Sequence, residues 1–174
     1  AKCLLYSDCF LGIFDRAAEA EGKIPFADYA AALSDSASRA GEFAYLFETL
    51  ASLCSVMELK GMLGVRTRAA YRSGDKKAVC ALLPDYEETL VRLKDFYARF
   101  KGLWFKENRP FGWEVQEARL GGLMLRIRSC ADRLRAYAEG ETDRIEELEE
   151  DILPFGEQGL ECNFYRSIVS RSEL

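Results

Sequence analysis

Two places in the sequence gather side chains that could do chemistry. Tyr6-Ser7-Asp8 sets a phenol, a hydroxyl and a carboxylate within three residues. Trp104 with Glu107-Asn108-Arg109-Pro110-Phe111-Gly112-Trp113-Glu114 crowds aromatics, an amide and charges into one turn between two helices. Exposed turns carry function more often than cores do. Packing is the competing account of the second stretch, because Trp104 continues an apolar seam and Pro-Phe-Gly is ordinary turn chemistry.

Most catalytic constellations are excluded by residue type. The chain has no histidine, so histidine-based triads and Glu-x-x-His di-metal sites cannot form. The six cysteines stand at 3, 9, 54, 80, 130 and 162, and none lies in a CxxC pair. That spacing gives no support for an all-cysteine zinc site, so no metal is expected. Cys54 and Cys130 fall on apolar helix faces and read as buried reduced thiols. No GxGxxG or GxxxxGK[ST] is present, and Gly61-Met62-Leu63-Gly64 reads as a helix kink or a close contact. No cofactor is expected. The carboxylate clusters Glu87-Glu88, Glu146-Glu147 and Glu149-Glu150-Asp151 read as solvated helix faces.

The elements that must position these residues are helical. With 174 residues, 49% hydrophobic and 30% charged, the chain has the size and composition of one globular domain. A net charge of −5 and the acidic run Glu139–Asp151 argue against nucleic acid. No apolar run approaches the ~20 residues of a membrane span, so no membrane is expected. No signal peptide is visible, which sets a cytoplasmic expectation. The chain begins at Ala1 without an initiating Met, so a missing start is expected.

Lys2-Cys3-Leu4-Leu5-Tyr6 reads as a short strand, broken by Ser7-Asp8. A lone strand needs a sheet to join, and the rest of the chain offers none. From Asp15 onward the pattern is helical. Helices are expected from Pro25 to Arg39, from Glu42 to Tyr71, and over Lys76–Leu82 after a Ser73-Gly74-Asp75 stop and cap. Phe43, Leu46, Phe47, Leu50, Leu53, Cys54 and Met57 form one apolar stripe of the second. Between Pro84 and Lys106 the seam Tyr86, Leu90, Leu93, Tyr97, Phe100 and Trp104 steps by three and four. Trp113–Ala138 carries Leu120, Leu123, Met124, Ile127, Ala131 and Leu134 on one face. Gly121-Gly122 inside it suggests close approach of a neighbouring helix. Gly140 ends that helix, and Thr142 is expected to cap a last acidic one reaching Ile152, with Pro154 as its stop. The expected fold is all-α: an antiparallel helical bundle of three long helices plus shorter ones, with a short extended N-terminal segment.

Trp104-Phe105-Lys106-Glu107-Asn108-Arg109-Pro110-Phe111-Gly112-Trp113-Glu114-Val115-Gln116, running through Arg119-Leu120-Gly121-Gly122, resembles the C-terminal helical domain of bacterial family 20 glycoside hydrolases, the β-N-acetylhexosaminidases. Leu59-Lys60-Gly61, Arg66–Tyr71, Leu5–Asp8 and Leu11–Asp15 share the likeness, which spans most of residues 2–155. The resemblance implies an upstream (β/α)8 barrel with an adjacent Asp-Glu pair, the Glu acting as general acid/base and the substrate's acetamido group as nucleophile. No Asp-Glu dipeptide occurs here, so the catalytic residues are expected upstream and none in this chain. Residues 1–14 would then be the end of the barrel and 15–174 the helical C-terminal domain.

The resemblance also implies site residues. A late barrel strand in this family ends in Tyr-x-Asp, which holds the acetamido group and a sugar hydroxyl. Tyr6 and Asp8 match that spacing, with Cys9 where a Pro would be expected. Trp104, Glu107 and Asn108 are the candidates for the rim of the sugar site. The expected partners are the catalytic barrel of the same polypeptide and an N-acetylhexosamine glycoside, with a homodimer as a further option. The alternative is an independent helical protein–protein interaction or dimerisation module.

Overall fold

A computed structural model describes residues 2–22 and 24–152 of the chain. Within them every regular element is helical: α1 (Lys2–Tyr6), α2 (Asp15–Glu21), α3 (Phe26–Arg39), a single 3-10 turn (Gly41–Phe43), α4 (Ala44–Lys60), α5 (Leu63–Arg72), α6 (Lys76–Cys80), α7 (Leu83–Glu107), α8 (Trp113–Glu139) and α9 (Glu146–Glu149). No helix among the described residues is long and apolar enough to cross a membrane. The segment after Ile152, with Pro154, the glycines of the tail and Cys162, lies outside the described residues.

The expected all-α class holds, and the two longest helices come from the two cleanest periods. In α7, Tyr86, Leu90 and Leu93 are buried, and Tyr97 and Phe100 pack against the core. In α8, Leu120, Leu123, Ile127, Ala131 and Leu134 are buried. Asp75 accepts a hydrogen bond from the Lys77 N–H as the cap of α6. Gly140 ends α8 with φ +80°. Helix α3 packs on α4, α4 on α7, and α7 on α8. One core joins Phe10, Ile13 and Phe14 to Leu63, Tyr86, Leu93, Ile127 and Leu134, without a break at residue 15.

Four expectations are corrected. The N-terminal segment is not extended: Lys2–Tyr6 is one turn of α-helix. A single turn is unstable alone, but here Leu5 and Tyr6 are buried. The buried Lys60 ammonium also donates to the Ser7 carbonyl at 2.7 Å and the Leu4 carbonyl at 3.4 Å, satisfying the helix end where negative charge concentrates.

The helix expected over Glu42–Tyr71 is two helices, α4 and α5. The chain breaks at Gly61-Met62, and Gly64 lies so close to the Cys9 backbone that a Cβ would meet Cys9 Cα at 3.4 Å. Among the described residues no helix approaches Gly121 and Gly122, because none of their atoms lies within 4 Å of where the Cβ atoms would stand. The last acidic helix is only Glu146–Glu149, and Thr142 does not cap it; its hydroxyl bonds the Arg144 carbonyl instead. Cys130 is buried and Cys54 half-buried, both as free thiols.

Candidate functional site

Tyr6-Ser7-Asp8 lies on α8, not at the end of a strand. Asp8 accepts from the Phe10 and Leu11 N–H groups at 2.8 and 3.0 Å, which fixes the turn after α1. The Arg126 guanidinium grips the same carboxylate with two bonds, Nε to Oδ2 at 2.6 Å and Nη2 to Oδ1 at 3.1 Å. Burial raises the Asp8 pKa, but the Arg126 bonds and charge and the two backbone N–H groups outweigh it and hold the carboxyl below its usual range. The Tyr6 ring is buried with the Arg119 guanidinium 5.3 Å from its centre, and burial raises its phenol above its usual pKa.

Arg119 and Arg126 belong to a ladder that sequence reasoning missed. Arg119, Arg126 and Arg133 stand seven apart on α8, two helical turns each. Arg126 and Arg133 flank the Phe10 ring at 5.4 and 5.5 Å, and Arg133 also pairs with Glu147. From α5, buried Arg68 donates to the carbonyls of Phe10, Glu147, Leu148 and Glu150. Together these cations clasp the N-terminal turn and the acidic α9 to the body of the domain. The seven-residue arginine spacing was the available signal.

The second candidate place is the turn between α7 and α8. The Trp104 ring sits 5.8 Å from that of Trp113 and 6.0 Å from that of Phe100, and its indole N–H donates to the Arg109 carbonyl at 3.1 Å. Gly112 takes φ +92°, a conformation that suits glycine, and Glu114 accepts from its N–H at 2.9 Å. Glu107 is exposed and accepts the Tyr45 hydroxyl, while the Lys106 ammonium stands 3.4 Å over the Tyr45 ring. Asn108 is exposed, and its backbone N–H ends α7 on the Trp104 carbonyl at 2.8 Å. The two places thus lie along one helix: Trp113 and Arg119 are six residues apart on α8, about 9 Å along its axis.

Among the described residues one carboxyl has an acid/base-like pKa. Burial pushes Asp15 up to about 6, against the lowering charges of Arg68 and Lys60. Among the described residues its Oδ2 has no hydrogen-bond partner, and the carboxylate is wedged between Gly12 and Gly64, where added Cβ atoms would stand 2.5 and 3.1 Å from its oxygens. Only 6% of Asp15 is exposed. Among the described residues no cluster of three His, Cys, Asp or Glu could hold a metal.

A family model, the glycoside hydrolase 20C C-terminal domain, matches residues 1–163. The chain belongs to that family. The matched span includes α1 and the Asp8 turn as well as the helices that follow, so both candidate places lie within the glycoside hydrolase 20C C-terminal domain. Comparison with curated proteins gives no match.

Proposed function

We propose that this domain is the non-catalytic helical partner of a family 20 catalytic barrel in one polypeptide, a β-N-acetylhexosaminidase, and that its α7–α8 turn lines the rim of the N-acetylhexosamine site. The observation that carries the reading is the match of a C-terminal domain family to residues 1–163. Two features agree with it. The carboxyl with an acid/base-like pKa, Asp15, is closed off from solvent. The exposed polar groups Glu107 and Asn108 stand beside half-buried Trp104, a combination of flat ring and hydrogen-bonding side chains that suits a sugar.

Within this reading Tyr6 and Asp8 have a different weight from the turn. They hold the N-terminal segment to α8, and a sugar contact at Asp8 would have to compete with the Arg126 pair. The rim therefore rests on Trp104, Glu107 and Asn108. In the full-length polypeptide, hydrolysis of an aryl N-acetyl-β-glucosaminide is expected. The double substitution E107A/N108A should raise KM roughly fivefold, the effect of losing about 1 kcal/mol of hydrogen bonding to the bound sugar. An unchanged KM removes the turn from the rim, and a full-length chain without hydrolase activity overturns the reading itself.

A further inference from the structure

Helix α2 depends on its docking to α5. A helix of seven residues is marginal alone. It buries Asp15 and the small Ala18, while Arg16, Ala17, Glu19 and Ala20 are exposed. Among the described residues no side chain caps its first turn. Glycines stand on either side of it, Gly12 with φ +61° and Gly22 with φ +70°. Both positions can pivot without strain from a Cβ. Ala18 and Gly22 also form one wall of an apolar hollow of about 740 Å³, whose other walls include Leu4, Phe26, Met57 and Met62.

Asp15 is the polar group that α2 carries into this contact, and its charge is poorly compensated there. Arg68 comes from α5, but its guanidinium donates to the carbonyls of Phe10, Glu147, Leu148 and Glu150. Lys60 comes from α4, and its ammonium donates to the carbonyls of Ser7 and Leu4. Both cations are therefore near Asp15 yet bonded elsewhere, and its Oδ2 accepts no bond among the described residues. Asp8 after α1 and Glu19 on α2 itself add negative charge. Burial pushes the neighbouring Cys9 thiol up, so that group brings no compensating charge. Burial outweighs the two cations at Asp15 as well, and its carboxyl rises to about 6.

We propose that α2 is a pH-operated flap on the apolar hollow: protonated Asp15 holds it against α5, and ionised Asp15 frees it to swing on Gly12 and Gly22. A carboxyl whose pKa is raised by docking favours the docked state below that pKa and opposes it above, so the change falls as pH rises through about 6. The wall formed by Ala18 and Gly22 is then set in acid and loosened near neutrality.

Hydrogen exchange of the intact polypeptide tests this, read by mass spectrometry at pH 5 and pH 7.5 and expressed as protection, which removes the chemical pH dependence. With the carboxyl moving from about 6 when docked to its ordinary 3.8 when released, protection of residues 18–21 should fall about tenfold between the two pH values. Protection of residues 123–134 in α8 should not fall with it. Asp15→Asn should abolish the difference, and Glu19→Gln, exposed on the same helix, should keep it. Flat protection of residues 18–21 in the wild type overturns the proposal, as does an equal fall in α8. So does a fall that persists in Asp15→Asn or vanishes in Glu19→Gln. Should Asp15→Asn fail to fold, the wild-type pair and Glu19→Gln still decide.

Discussion

At Asp15 burial and charge pull in opposite directions, and burial prevails, placing its pKa at about 6. The fold holds the Asp15 proton more tightly than the unfolded chain does. Its contribution to stability is complete below about pH 4 and is lost as pH rises through 6. Asp15→Asn should therefore stabilise the chain at pH 7 by about 2 kcal/mol, a rise of roughly 4–8 °C in thermal midpoint, and should change little at pH 4. Thermal unfolding at the two pH values checks this. Asp8 has the opposite sign, because its folded pKa is depressed. It contributes above its unfolded pKa and fails as pH falls through the folded one. Arg126→Ala leaves that carboxylate, whose side chain is 10% exposed, without its cation. Because the guanidinium is 32% exposed, solvent screening trims the cost to about 2 kcal/mol, readable by denaturant unfolding.

Among the elements, α7 and the apolar face of α8 were legible because their long runs keep the helical period: Tyr86 through Trp104, and Leu120 through Leu134. Helix α1 was not, since four apolar residues after Lys2 fit a strand as well as one helical turn. What decides between them is Lys60, more than fifty residues away in the chain. The site residues show the same limit. Tyr6 and Asp8 could be found by spacing, but the partner that fixes Asp8 is 118 residues distant. Gly121 and Gly122 were recognisable as a cost within a helix, yet the neighbouring helix they suggested is absent among the described residues. Each Gly→Ala change there should stabilise the isolated chain by about 1 kcal/mol, because the helix gains propensity and the new methyl meets nothing. A drop in stability would reveal a contact that the described residues do not make.

Across the whole molecule, the core and the α4 stripe should answer differently to the same truncation. Leu93→Ala removes a fully buried side chain and should cost about 2–5 kcal/mol. Leu50→Ala, at a site half exposed, should cost the 174-residue chain less than about 1 kcal/mol. Equal losses in denaturant titration would mean that the stripe is buried by this chain's own residues. We propose that the clasped N-terminal turn and the aromatic α7–α8 turn of this glycoside hydrolase 20C C-terminal domain serve a catalytic domain of the same polypeptide. The most direct measurement is the turnover of an aryl N-acetyl-β-glucosaminide by the full-length polypeptide and, side by side, by residues 1–174. Turnover by the full-length protein and none by the 174-residue chain is the predicted result; hydrolysis by the 174-residue chain, or its absence from the full-length protein, would contradict it.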